Sequence, residues 1–292
     1  MAITNFIPGV WSETLSGALN ARYVGVANCN RAFEGDIRER GSKVRICGVG
    51  AVSVGDYTKN TDMNDPQTLD DSIKELTVDQ AKYFNFQIDD IDRAQTSPEL
   101  MTQAMRGAAS ALAGTADAYV YSLYSSAGTT LKQDATTDAN IMDMLIAART
   151  ALYSAGVSDM SEAVIEVSPE IAALILKAKI DLATDNTDAL EAGCLGSVGG
   201  CKIFVSPQIA KVKNDTTKVV YHKCLARTKR AIAFAEQLSE IDAYRPEKRF
   251  ADAVKGLHLY GAKAVYKNEI ILLDLGIAPA STNTANNTQA SA

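Results

Sequence analysis

Histidine is nearly missing from this sequence, with His222 and His258 the only two in 292 residues. The shortage removes the commonest general base and metal ligand from most of the chain. No Gly-x-Ser-x-Gly, His-Glu-x-x-His or Walker sequence compensates for it. Five cysteines, Cys29, Cys47, Cys194, Cys201 and Cys224, are odd in number, widely spaced and free of any Cys-x-x-Cys pair. They read as small hydrophobes in a reducing compartment rather than a disulfide framework. No apolar run approaches the roughly 18 residues a membrane span needs, and Met1-Ala2-Ile3-Thr4-Asn5 lacks the basic start of a secretory leader. A cytoplasmic protein with no membrane anchor is expected. Basic clusters are missing too: 29 Lys and Arg lie scattered among 35 Asp and Glu, for a formal charge of −6. Sequence-independent nucleic-acid binding draws on clustered cations, so the chain is a poor candidate for gripping DNA or RNA itself. A shell that encloses nucleic acid is compatible with that balance.

What the chain does have is apolar content, 47% of its residues, enough for one large domain or two modest ones. From Lys43 to Val54 the residues alternate, Val44, Ile46, Val52 and Val54 against Arg45, Cys47 and Ser53. A second alternating run, Ile73 to Ile88, carries Leu76, Val78, Phe84, Phe86 and Ile88 on one face. The pattern predicts a long hairpin. Its tip, Gly55 to Asp71, holds five aspartates, Lys59 and Pro66. An isolated two-stranded ribbon is marginal in water, so an arm of this length needs a surface, and a second subunit would supply one.

Before the hairpin lies an extended arm with Trp11 and a weak helical pattern at Glu13 to Tyr23. After it, Ser97-Pro98-Glu99 signals a helix start, and Met101, Met105, Ala108, Leu112, Ala116, Tyr119 and Leu123 form one apolar stripe to about residue 125. A soft connector, Ser125 to Asp138, leads to alternating elements. These are a helix from Asn140 to Ala155, a strand Ala163 to Val167, a helix opened by Ser168-Pro169, and a loop from Asp181 to Ala192. Strands are expected at Cys201 to Val205, Lys218 to His222, Ala231 to Ala235, Glu240 to Tyr244, Asp252 to Tyr266 and Glu269 to Leu275, with Lys267-Asn268 a tight turn between the last two. Residues 277–292 are too polar to pack and are expected to be disordered.

Three groupings could carry chemistry, and each has a plainer reading. His222 beside Cys224 resembles a metal-ligand pair, but no further cluster completes four ligands. Gly193, Gly196, Gly199 and Gly200 lead into a strand, whereas a phosphate-binding glycine loop follows one and opens a helix. Asp89, Asp90 and Asp92 lack the spacing of an EF-hand. No catalytic residue, cofactor or metal is assigned.

The order of parts, arm, hairpin, long helix, α/β middle, C-terminal strands and tail, resembles the major capsid proteins of tailed phages with the HK97-type fold. Three stretches sharpen it: Phe84 to Gln95 at the junction of hairpin and helix, Gly196 to Ser206 as a glycine turn entering a strand, and Phe250 to Lys263 as the penultimate strand. The resemblance implies an α+β, HK97-like capsid fold. Its parts would be an N-terminal arm (1–42), an extended loop (43–88), a peripheral domain (89–135 and 239–276) with a strut helix at about 97–125, and an α/β axial domain (136–238).

It also implies a structural protein, not an enzyme: hexamers and pentamers closed into an icosahedral shell around double-stranded DNA, assembled in a bacterial cytoplasm. A separate scaffolding protein (or a removed extension), a portal and decoration proteins would be partners. Asp56, Lys59, Asp62, Asp65, Asp70, Asp71 and Trp11 are the expected intersubunit contacts. An encapsulin-type compartment shell shares the implied fold, and a soluble α/β enzyme with a decorative hairpin is the remaining alternative.

Overall fold

A computed structural model describes residues 15–33, 43–49, 56, 59, 71–89, 100–178, 194–247 and 251–278. Its strands begin with β1 (Lys43–Val49), β2 (Asp71–Thr77), β3 (Gln80–Asp89), β4 (Thr129–Gln133), β5 (Ala163–Val167) and β6 (Cys194–Val198). They continue with β7 (Cys201–Val205), β8 (Lys211–Lys213), β9 (Val220–Thr228), β10 (Ile232–Tyr244), β11 (Ala251–Ala264) and β12 (Ile270–Ile277). The helices are α1 (Leu100–Ser122), α2 (Ile141–Ser154) and α3 (Pro169–Lys177). The chain forms two compact units, Met1–Val120 with Lys229–Tyr266, and Tyr121–Thr228 with Lys267–Ala292.

In the first unit β10, β11 and β3 form an antiparallel sheet, and β1 pairs with β2 as a separate ribbon. The expected return strand Ile73 to Ile88 is therefore two strands, broken at Val78 and Asp79 and serving different partners. Alternation could not reveal the break, because Leu76, Val78, Phe84 and Phe86 keep the same parity across it. The Tyr119 hydroxyl of α1 donates to the Asp79 carboxylate at 2.9 Å and fixes the turn between them. The strands expected at Ala231 to Ala235 and Glu240 to Tyr244 are one strand, β10, with a bulge between Ser239 and Ile241. Helix α1 buries Met105, Ala109, Leu112, Ala113, Ala116 and Val120. Its buried line thus falls one residue beyond Ala108 and Tyr119, where alanines allow close approach. The predicted cap at Ser97 lies outside the described residues.

The second unit holds a mixed sheet ordered β4-β12-β9-β5-β7-β6, with β8 on β9. Strand β5 is buried throughout, as a strand covered on both faces must be. Helix α2 turns Ile141, Leu145, Ala148 and Leu152 inward, as its spacing predicts. Ser168 caps α3, its side chain accepting from the Ile171 amide at a long 3.5 Å, with Pro169 in the first turn. The glycine turn is a true hairpin turn: Gly199 and Gly200 have φ of 57° and 88°, and they join β6 to β7.

Strand β12 corrects the expected C-terminal hairpin. Lys267–Glu269 is a 3-10 turn, and β12 pairs with β4 and β9 rather than with β11. Its near-continuous Ile-Ile-Leu-Leu run suits a central strand buried on both faces, not the rim of a hairpin. The connector Ser125 to Asp138 contains β4, too short and exposed to announce itself. The loop Asp181 to Ala192 and residues 279–292 of the tail lie outside the described residues.

Candidate assembly surfaces

The hairpin base is seated by apolar burial. Val44 and Ile46 of β1, with Leu76 and Val78, pack against Ala233, Ala235, Leu259 and Val265, with Phe33 and Ala81 at the margin. The partners of that alternating face are exposed: Lys43, Arg45, Glu75 and Thr77. Gly261 on β11 makes the approach possible, since a Cβ there would collide with the Thr77 carbonyl. Lys74 donates to the Val265 carbonyl, and its ammonium lies 5.3 Å from the centre of the Tyr266 ring. The ribbon thus lies along β11, with Thr77 beside Gly261 and Lys74 beside Val265. Its last described pair, Val49 and Asp71, is three residues further on.

The segment 15–33 is tied to the same sheet by polar groups that the sequence reading missed. Asn30 forms a parallel bridge with Ala233, exchanging backbone bonds of 2.9 Å with Ile232 and Phe234. Asp117 of α1 accepts from the Val24 and Val26 amides at 3.0 and 2.9 Å. Glu236 of β10 accepts from the Tyr23 hydroxyl at 2.5 Å and from Arg31 at 2.5 Å, and lies 2.9 Å from His258 Nε2. Burial opposes the Glu236 charge, but His258, Tyr23 and Arg31 together hold its carboxyl below the usual range. Burial and Glu236 push the Tyr23 phenol well up. In the sequence these anchors are single acids beside an alanine, Asp117 after Ala116 and Glu236 after Ala235, and nothing local marks either as an anchor.

The histidine that invited a chemical reading sits in a structural cluster. His222 Nδ1 lies 2.8 Å from Ser168 Oγ and 3.8 Å from a Glu170 carboxylate oxygen, while Lys211 bonds Glu170 at 2.5 Å. A nucleophile relay needs serine and acid on opposite ring nitrogens. Here both approach the same one, and Ser168 is fully buried and already caps a helix. Burial raises the Cys224 thiol to about 12, which leaves it inert. Among the described residues no group of acids, histidines and cysteines is arranged to hold a metal.

Burial also lowers His222, with Glu170 raising it and Lys211 lowering it. The fold therefore resists protonation there. That contribution is whole above the unfolded value of about 6.5 and is lost as pH falls from there through the folded value. Between about pH 7.5 and pH 5 the melting temperature is expected to fall further for the natural chain than for His222→Gln. Parallel pH profiles in calorimetry would overturn that assignment.

The expected contact residues divide. Asp56 and Lys59 are described and exposed, and Asp71 opens β2. Trp11, Asp62, Asp65 and Asp70 lie outside the described residues. Among the described residues several large apolar side chains are exposed away from these positions. Tyr83 is 79% exposed on β3, and Leu257 opposite it on β11 and Tyr244 on β10 share its face. In the second unit Ile146 and Tyr153 line the outer face of α2, with Leu176 on α3. No helix among the described residues is long and apolar enough to cross a membrane.

A ribbon lying on a three-stranded sheet, a 23-residue helix and a separate mixed sheet carrying its own helices together define the HK97-like class of capsid subunit. The sequence matches the phage capsid protein family over residues 73–268, about two thirds of its length, and the chain belongs to that family. It is a phage capsid shell protein. Nothing among curated proteins matches it. Among solved structures it is similar to one from Mycobacterium phage Che8, at 27% identity and TM-score 0.66, covering 86% of this chain and 90% of that one. The capsid of Ralstonia phage GP4 aligns at 12% identity and TM-score 0.69, covering 91% and 92%. A virus-like particle from Pyrococcus furiosus shares the fold at 12% identity and TM-score 0.56, covering 90% and 96%.

Proposed function

We propose that this chain builds the icosahedral shell around the double-stranded DNA of a tailed phage, with the hairpin as a lap joint between subunits. The observation that supports this most directly is the ribbon's course: its base is seated on its own sheet, and its strands run past that sheet's last paired residue. In this reading residues 1–42 are an arm reaching adjacent subunits, and the hairpin loop reaches across a neighbour. Strut helix and long strands form the peripheral domain. The expected axial range of 136–238 shifts in this reading: β10 goes to the peripheral side with β11, and residues of about 121–228, joined by β12, form the axial domain around five- and six-fold axes. The subunit acts by repeated contact rather than by catalysis. Its partners are further copies, a separate scaffolding protein, a portal and decoration proteins, and assembly takes place in the host cytoplasm.

Repetition by symmetry explains how modest contacts suffice. The acidic balance lets the shell enclose DNA without binding a particular sequence. The family match favours a phage shell over a cellular compartment. Electron microscopy of the purified protein, alone and co-expressed with its genomic neighbours, tests the reading. Closed shells of uniform diameter are expected, and a stable 31.2 kDa monomer under both conditions would overturn it.

A further inference from the structure

The end of β11 carries a cationic cluster around one exposed aromatic ring. Tyr266 is 45% exposed. Lys74 lies 5.3 Å from the centre of its ring and the Arg230 guanidinium 5.5 Å. Lys229 shares Arg230's turn, which is fastened there because the Ala231 carbonyl accepts from the Val265 and Tyr266 amides at 2.8 and 3.2 Å. Lys229 and Arg230 are both exposed. Among the described residues no carboxylate pairs with Lys74 or Lys229; the recorded partners of the Lys74 ammonium are a carbonyl and a ring face. With no carboxylate on either, Lys74 and Lys229 present positive charge that an incoming anion would neutralise.

We propose that this cluster of Lys74, Lys229, Arg230 and Tyr266 receives the acidic hairpin tip of a second copy of the chain. The inference rests on reading the hairpin as an intersubunit joint, and it names the surface the joint meets. Charge is the first argument: Gly55 to Asp71 holds five aspartates against one lysine, a net charge of −4. Geometry is the second. From Lys74 the register runs three further pairs to Asp71, about 10 Å along the strand. That is already beyond the screening length of roughly 8 Å at physiological salt. Asp71, where the described ribbon ends, thus lies out past the end of its own β11. The same charges would steer subunits into register as they meet, so assembly slows as salt rises.

Carbodiimide cross-linking of shells assembled from equal parts light-nitrogen and heavy-nitrogen protein tests this directly. Cross-links from Lys229 to tip aspartates are expected, about half of them joining a light peptide to a heavy one, as random mixing of closed oligomers requires. Same-label cross-links alone, or none from Lys229 to the tip, would overturn the proposal. Reversal of both exposed cations, Lys229→Glu with Arg230→Glu, is expected to lower shell yield about ten-fold, and Asp62→Lys with Asp65→Lys should restore it. An unchanged yield overturns the assignment, as does unchanged yield with less enclosed DNA, which would give the cluster to nucleic acid. Removing the tip separates the two readings. Loss of shells on tip deletion, with no effect of charge reversal, refutes this surface and spares the joint, whereas intact shells on tip deletion refute the joint itself.

Discussion

Deleting Asp56 to Asp71 is expected to yield a soluble, folded subunit that no longer forms shells. The burial that seats the hairpin lies entirely outside the deleted stretch: Val44, Ile46, Leu76 and Val78 remain against Ala233, Ala235, Leu259 and Val265. Residues 50–55 remain to join Val49 to Ser72, a connection long enough for a hairpin loop. Among the described pairs of the ribbon only Val49–Asp71 is lost. Melting temperature should therefore change little, by the equivalent of about 1 kcal/mol or less for an exposed change. Shell yield should fall by about a hundred-fold or more, because the lost contact recurs at every subunit and its loss compounds with the symmetry. Sedimentation and negative-stain microscopy separate the two quantities. Shells of normal size and yield would refute the lap joint, while a deletion that lowers the melting temperature sharply would mean that the tip belongs to the subunit's own fold.

Much of this architecture was legible in the sequence wherever one local pattern serves one partner. Strands β5 and β7 have the bounds that their apolar runs predict, and the Ser168-Pro169 start and the inward face of α2 follow from capping and spacing. Patterns failed where pairing partners change without a change of period. Alternation through Val78 and Asp79 hid the passage from ribbon to sheet, and the short turn Lys267–Glu269 concealed that β11 and β12 belong to different sheets. The polar anchors were illegible for another reason. Asp117 and Glu236 look like ordinary surface acids until the segment 15–33 brings Val24, Val26, Tyr23 and Arg31 onto them. Long-range partners of single charges leave no periodic trace.

Glu166→Ala is expected to be the most damaging single substitution in the second unit. Arg227 is bound through two parallel hydrogen bonds of 2.9 Å, Nε to one Glu166 oxygen and Nη2 to the other, and both side chains are completely buried. Removing the acid leaves a fully buried guanidinium that cannot lose its proton. Breaking such a pair costs about 3–5 kcal/mol, a large part of the roughly 5–15 kcal/mol that holds a domain together. Loss of soluble protein, or a drop in melting temperature of many degrees, is the expected result. A variant melting like the natural chain would refute it.

The double substitution Glu166→Leu with Arg227→Met asks what the pair is for. Apolar replacement of a whole buried pair is often neutral, so the double variant should recover most of the lost stability. Its assembly is the more telling measurement. Val164 faces Arg227 and Glu166 faces Leu225, so the ion pair spans a diagonal that exists in only one register of β5 on β9. A slip of one residue would turn every side chain of β5 to the opposite face. If the double variant is stable yet closes fewer shells, the register that the pair sets in the second unit's sheet matters to assembly. If it assembles normally, shape alone sets that register, and the buried charges are dispensable to the shell.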